Sequence, residues 1–270
     1  LKSFDSDGFT LGTSAQVNHS GVTNVAWNWK ANGAGSANTD GSINSTVSAN
    51  TTAGFSIVKY TGTGANATVG HGLGVAPKMV IIKRLENATH WLVGGGNIGW
   101  TKNLYLSTTS AAQTYNHFQD QSPSSSVVYM TNDAALNNSS EDYIMYCFAE
   151  KSGYSKFGSY VGNGSADGAF VYTGFKPSWV MLRQTSDTNQ WFIFDNKRVT
   201  GAVNPQVLYL QANTSDAEGG SAANSYLDFT SNGFKFRENN GAFNGSGGSY
   251  IYMAFGQSLV GSNNIPCTAR

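Results

Sequence analysis

The sequence has little charge and little cysteine. Only 12% of its 270 residues are charged, Lys plus Arg and Asp plus Glu number 16 each, and there are 2 cysteines. Balanced charge without a basic run argues against nucleic acid as a partner. No apolar stretch approaches the roughly 18 residues of a membrane span, so we expect no membrane insertion. Because no Cys-x-x-Cys or Cys/His cluster is present, we also expect no metal and no cofactor.

The two cysteines are too few for a disulfide scaffold. Cys147 lies within Tyr-Ile-Met-Tyr-Cys-Phe, a segment that predicts a buried free thiol. Cys267 lies close to the end of the sequence. A bridge between the two stays open, and so does the redox compartment.

Glycine and aromatic residues are abundant by contrast. Gly occupies 32 positions and aromatic residues make up 13% of the chain, against a usual Gly content of about 7%. Many Gly, Asn, Ser and Thr residues, with Tyr, Phe, Trp and Val as the apolar part, are typical of short strands joined by turns. The composition therefore predicts an all-β protein.

An internal repeat is the strongest signal in the sequence. A shift of 100 residues superimposes identical residues, and the shift grows to 104 and then 107 further along, as insertions in loops would cause. The matched positions are Tyr60, Gly62, Gly64, Gly74, Pro77, Val80 and Trp91 with Tyr160, Gly162, Gly164, Gly174, Pro177, Val180 and Trp191, then residues 104–106 with 208–210, and Tyr143, Ile144 and Phe148 with Tyr250, Ile251 and Phe255.

The shared residues suit a scaffold of short strands. The Gly-x-Gly after Tyr60 and Tyr160 predicts a tight hairpin turn, and Pro77 and Pro177 stand where a strand can start. Near-continuous apolar runs after each proline indicate central strands covered on both faces. We therefore predict two tandem β-sandwich, jelly-roll-like units.

The start of the sequence repeats the end of a unit. Residues 4–9 resemble 229–234, and residues 25–29 take the place of 251–255, so we predict that 1–30 is the last hairpin of a third unit and that the chain is the C-terminal part of a longer protein. Residues 31–52, almost entirely Gly, Ala, Ser, Asn and Thr, predict a linker. The two full units then span 53–152 and 153–260, with a tail over 261–270. Their short junction predicts that they lie close together.

No catalytic constellation is evident. His19, His71, His90 and His117 have no partner residues in a recognisable motif, and surface or turn positions are predicted for all four. Asp5-Ser6-Asp7-Gly8 lacks the later ligands of a calcium loop. The neighbouring carboxylates are Asp216 with Glu218 and Glu141 with Asp142, in polar loop sequence. We predict a protein that is not an enzyme, although two carboxylates roughly 5 to 10 Å apart would suffice for glycoside hydrolysis.

The remaining candidate site is a group of aromatic residues in the first unit, in sequence that has little match in the second. These candidate ligand-binding residues are Trp100, Tyr115, His117, Phe118 and Tyr129. Aromatic side chains on loops can stack on sugars or contact a protein surface. The alternative is that they fill the core of a differently decorated copy. The charged cluster at 195–198 is interpreted as an exposed turn.

Five segments are specific as a set: Ser-Asp-Gly-Phe-Thr-Leu-Gly at 6–12, Val-Ala-Trp-Asn-Trp-Lys at 25–30, Gly-Asn-Gly-Ser-Ala-Asp-Gly at 162–168, Trp-Phe-Ile-Phe-Asp-Asn-Lys-Arg at 191–198 and Tyr-Ile-Tyr-Met-Ala-Phe at 250–255. Together they resemble large virion proteins of tailed bacteriophages, especially marine ones, described as tail fibre or structural proteins. The resemblance covers nearly the whole chain and is weakest over 31–52 and 94–129. It supplies no binding or catalytic residue.

The resemblance implies a phage appendage or surface protein on the virion, often a homotrimer. The expected partners are a host cell-surface glycan or outer-membrane protein and other virion proteins. Host-surface recognition is the first hypothesis for its function. A structural spacer or capsid decoration, a polysaccharide depolymerase and a bacterial surface adhesin stay open as alternatives.

Overall fold

The computed structural model describes residues 1–6, 8–198, 204–221 and 224–256. The chain divides into two compact units, the first ending at Lys30 and the second beginning at Ala31. The predicted tail over 261–270 and Cys267 lie outside the described residues. None of the helices in the described ranges is long and apolar enough to cross a membrane.

Residues 1–30 contain one hairpin and one helical turn, namely β1 (Ser3–Phe4), β2 (Phe9–Thr10) and α1 (Ala15–Asn18). Phe4 pairs with Phe9 across the hairpin. The strand predicted over residues 25–29 is wrong, since these residues form none. A strand needs neighbouring strands that bond its main-chain groups. Residues 251–255, which align with 25–29, have a neighbouring strand on each side within their own unit.

The first sandwich consists of β3 (Ser36–Asn38), β4 (Ser45–Asn50), β5 (Phe55–Thr61), β6 (Ala67–Gly70), β7 (Met79–Arg84), β8 (Leu92–Gly95), β9 (Lys102–Tyr105), β10 (Gln113–Thr114), β11 (Val127–Met130) and β12 (Asp142–Phe148). Its large sheet has the order β10-β9-β8-β7-β12-β5-β4-β3, and β6 pairs with β11 in the opposing layer. Val58, Ile82 and Met145 of the large sheet share one core with Val69 and Val128 of the small one.

The second sandwich consists of β13 (Ser155–Val161), β14 (Phe170–Tyr172), β15 (Pro177–Gln184), β16 (Trp191–Asp195), β17 (Leu208–Gln211), β18 (Gly219–Gly220), β19 (Leu227–Thr230), β20 (Gly233–Phe236), α2 (Gly241–Asn244) and β21 (Ser249–Gly256). The large sheet has the order β13-β21-β15-β16-β17-β18, opposed by β14-β20-β19. Phe229 pairs with Phe234 in the β19–β20 hairpin, as Phe4 pairs with Phe9. The prediction of an all-β sandwich fold is confirmed.

The large sheets of the two sandwiches pack against each other. Every residue of β16 is buried, and so is every residue of β21 after the first. Phe148 lies 5.9 Å from Phe157 and 6.2 Å from Phe255 between ring centroids, and Trp191 Nε1 donates to Tyr105 O at 3.0 Å. The apolar runs that predicted strands covered on both faces thus serve two interfaces, the sandwich core and the contact between sandwiches.

The predicted linker over 31–52 instead contains β3 and β4, which extend the large sheet beyond β5. Val47 is buried in the sandwich core, together with Ile43. Small and mostly polar side chains fill the other positions of these strands, so the alternation of apolar and polar residues that indicates a strand is weak.

The predicted hairpin at each Gly-x-Gly is also wrong, because these residues carry the chain from one sheet to the other. Gly64 and Gly164 do take positive φ, 72° and 64°. A Cβ at Gly62 would lie 2.2 Å from Asn138 O, and one at Gly162 would lie 2.3 Å from Gly245 O. The first glycine is therefore needed for close main-chain approach, and the second for its backbone conformation.

Candidate functional site

Two of the predicted aromatic residues belong to the scaffold. Phe118 is fully buried in the core of the first sandwich. Its ring meets that of Trp100 edge-on at 5.1 Å. A Cβ at Gly94 would lie 2.4 Å from the Phe118 ring. The lack of a side chain at Gly94 makes room for these rings, so Phe118 cannot contact a ligand in this conformation.

Tyr129 is separate from this group. It lies on β11 opposite Thr68 of β6 and is half-buried. Its neighbours in the strand, Val128 and Met130, enter the core. Since side chains alternate along a strand, Tyr129 faces the opposite side of the small sheet.

Tyr115 is the exposed member of the predicted set, with 52% of its surface accessible. Its ring is stacked on His117, with centroids 4.3 Å apart and planes at 30°. Its hydroxyl donates to Asp133 Oδ2 at 3.1 Å. That hydrogen bond and the Asp133 charge raise the pKa of Tyr115. The His117 ring and the Asp133 carboxylate therefore hold the Tyr115 side chain in place, while part of its ring faces solvent.

His117 lies beneath Tyr115 and is only 2% exposed. Neither ring nitrogen has a hydrogen-bond partner among the described residues, and Nδ1 is 3.7 Å from Asp133 Oδ1. Burial lowers the pKa of His117, and the Asp133 charge acts in the opposite direction. The sequence predicts a surface or turn position for His117: the residue lies in a turn, but the prediction of a surface position is wrong.

The other predicted histidines occupy two different environments. His71 is fully buried, with Nε2 3.3 Å from Ser124 O, so its predicted surface position is also wrong. His19 and His90 are both exposed.

Asp133 is the site residue that the sequence analysis missed. Its Oδ1 accepts from Ala135 N at 2.8 Å, and Asn240 Oδ1 accepts from Ala242 N at the same distance in the second sandwich. The shift of 107 that pairs Tyr143 with Tyr250 also pairs Asp133 with Asn240. Extended upstream, the alignment would have found this shared turn, in which the first copy has a carboxylate and the second an amide. We call Tyr115, His117 and Asp133 the Tyr115 platform.

Three of the four neighbouring carboxylates considered for hydrolysis are held by cations. Glu141 Oε1 lies 2.5 Å from Arg84 Nη2, and Asp142 Oδ2 lies 2.8 Å from Lys59 Nζ. Hydrogen bonds from Lys59 and Thr61 lower the pKa of Asp142. In the other pair, Glu218 bonds Arg198. Within the described ranges, no group of three or more His, Cys, Asp or Glu residues could hold a metal ion.

The fold and this site define an all-β protein of two packed sandwiches with a polar and aromatic platform on the first. Residues 1–258 match the family described as Domain of unknown function (DUF7483), and the chain belongs to that family. No curated protein and no solved structure matches the chain.

Proposed function

We propose that this protein is a non-catalytic module of a tailed-phage appendage that recognises a glycan on the host cell surface through the Tyr115 platform. The observation that carries the proposal is an exposed tyrosine ring held in place by His117 and Asp133. A ring that is already fixed loses little conformational freedom on binding. Its apolar face suits the C–H face of a sugar ring.

The Asp133 carboxylate supplies the polar part of this proposed site. Ionised carboxylates offer about four acceptor positions. Ala135 N and the Tyr115 hydroxyl occupy two of them, and the side chain is 26% exposed. The remaining positions can accept hydrogen bonds from sugar hydroxyl groups beside the Tyr115 ring.

The phage assignment rests on the sequence resemblance, which also suggests a homotrimer on the virion surface. The non-catalytic assignment is supported by the ion pairs of Glu141 and Asp142, because a carboxylic acid that donates a proton in glycoside hydrolysis needs a raised pKa. Light scattering on the purified chain would test the trimer.

Glycan-array and host-cell binding of the recombinant protein test the proposal. We expect Tyr115→Ala to weaken binding about 10-fold or more, as loss of a central aromatic contact does. Tyr172→Ala is the matched control, since Tyr172 is 64% exposed on the second sandwich, and it should bind as wild type does. Equal binding by both variants would refute the platform. Release of reducing ends from host polysaccharide would favour a depolymerase, and a head-surface location by cryo-electron microscopy would favour a decoration protein.

A further inference from the structure

Two adjoining cavities form a groove between the sandwiches, which we call the seam groove. One has a volume of about 630 Å³ and the other of about 320 Å³, and Asn97 and Ser159 line both. On one side the groove is formed by the turn between β8 and β9, and on the other by consecutive residues of β13. β13 is the edge strand of its sheet.

The outer edge of β13 has main-chain groups that the fold leaves unbonded. Phe157 N donates outward to Glu150 Oε1 at 3.1 Å. Because hydrogen-bonding direction alternates along a strand, Ser159 and Val161 point their N–H and C=O groups the same way. Among the described residues these groups have no hydrogen-bond partner. Val161 is 61% exposed.

The first sandwich shows what covers the equivalent edge. The shift of 100 places β13 on β5, and Ser159 on Lys59. There β4 pairs antiparallel with β5, with Thr46 opposite Lys59 and Ser48 opposite Ile57. Residues 31–52 supply that strand. The junction before β13, residues 149–154, is too short to supply another.

The charge along the groove indicates the chemistry of a partner strand. Lys102 lines the larger cavity, and Lys78 and Lys156 line the smaller one. The carboxylate in the lining is Glu150, which pairs with Lys156 at 3.4 Å. Neither Lys78 nor Lys102 has an ion-pair partner in the described part of the chain. The lining is therefore cationic, and acidic side chains complement it.

We propose that β13 and the seam groove bind an extended acidic polypeptide segment of another protein, which adds as an antiparallel strand. The added strand would lie about 4.8 Å from β13. Main-chain hydrogen bonds to Ser159 and Val161 would fix its register, and Lys78 and Lys102 would select acidic side chains. This inference does not depend on glycan binding at the Tyr115 platform.

The test uses a fluorescent octapeptide, Glu-Ser-Thr-Val-Ser-Ala-Asn-Glu, in which acidic residues flank the β4 sequence. Fluorescence anisotropy should detect its binding to the whole chain. A peptide of equal charge with proline in place of Val and Ala should not bind. Hydrogen exchange should slow at least about 10-fold at the Ser159 and Val161 amides when the first peptide is bound.

Two variants separate the main-chain and charge contributions. Ser159→Pro removes an outward N–H and should abolish binding. Lys78→Glu/Lys102→Glu keeps the backbone unchanged and should weaken binding at least about 10-fold. Lys197→Glu/Lys235→Glu makes the same change in charge at residues that line neither cavity and should bind as wild type does.

Three results would overturn the proposal. The peptide could fail to bind, or it could bind without protecting the two amides. An acidic oligosaccharide such as oligogalacturonate could instead bind in a manner that requires Lys78 and Lys102. This last result would make the groove a glycan site. The amide measurement on wild-type protein stays decisive even if Ser159→Pro does not fold.

Discussion

At the residue scale, His117 and His71 are imidazole groups that the fold keeps away from water. Both are buried, and burial lowers the pKa of each below the usual 6.5. A carbonyl, Ser124 O, lies near the His71 ring. His117 supports the exposed Tyr115 ring through the stacking contact.

These two histidines predict a loss of stability in mild acid. Their pKa is near 6.5 in the unfolded chain and lower in the folded one, so the unfolded chain binds more protons between those values. The contribution of these histidines to the free energy of unfolding should be fully present above pH 6.5. The free energy of unfolding should then fall as the pH drops below that value. Urea unfolding at pH 7.5 and 5.5 measures this difference.

His117→Gln should make that difference smaller, because one of the two titrating groups is removed. His19→Gln, at an exposed position, should keep the wild-type pH dependence. A wild-type protein that is equally stable at both pH values would contradict the account of His117 and His71.

At the element scale, each Gly-x-Gly forms a corner, and the corners of the two sandwiches have the same structure. Tyr60 and Tyr143 stack with centroids 5.3 Å apart, and Tyr160 and Tyr250 stack at 4.8 Å. Asn137 Oδ1 accepts from Thr63 N, and Asn244 Oδ1 accepts from Asn163 N. The repeat in the sequence thus corresponds to a repeated structural corner.

This corner predicts that Gly62→Ala and Gly162→Ala each destabilise the protein by at least about 2 kcal/mol. The added Cβ would overlap the carbonyl oxygen of Asn138 or Gly245, and main chain cannot move away as a flexible side chain can. Denaturant unfolding measures the loss.

Gly241→Ala is the control for that pair, because a Cβ there meets nothing within 4 Å. It should change the free energy of unfolding by less than about 1 kcal/mol. If the corner variants were as stable as Gly241→Ala, close main-chain approach would not be the reason for glycine at these positions.

The elements differ in how far the sequence predicts them. Apolar and aromatic runs predict β7, β12, β15 and β21, because those strands bury large side chains. The strands β3 and β4 bury mainly small residues and were missed. Residue type alone also does not show that Phe118 fills the core while Tyr115 faces solvent. That difference depends on contacts between residues that are far apart in the sequence.

At the scale of the whole molecule, Arg183 joins the two sandwiches. It is fully buried, and burial lowers its pKa to about 10. Its guanidinium donates to Thr108 O at 3.1 Å and Ser110 O at 2.6 Å in the first sandwich, and also to Asn189 O. Carbonyl groups from both sandwiches thus satisfy one buried cation.

Arg183→Met should lower the free energy of unfolding by about 2 to 4 kcal/mol, because it leaves the carbonyl groups that Arg183 bonds without their partner across the interface. Lys59→Met is the control, since it removes an ion pair with Asp142 at the protein surface, and such surface pairs contribute little to stability. Calorimetry should show one transition for wild type, as two sandwiches with a shared interface require. Separate transitions, or no effect of Arg183→Met, would contradict this coupling.

We propose that glycan binding belongs to the Tyr115 platform, in which Asp133 stands where the second sandwich has Asn240. Amide chemical-shift mapping during titration with host-surface oligosaccharide tests it most directly. We predict that the largest shifts fall on residues 113–118 and 131–135 and disappear in Tyr115→Ala. Shifts centred on another surface, or unchanged by Tyr115→Ala, would contradict it.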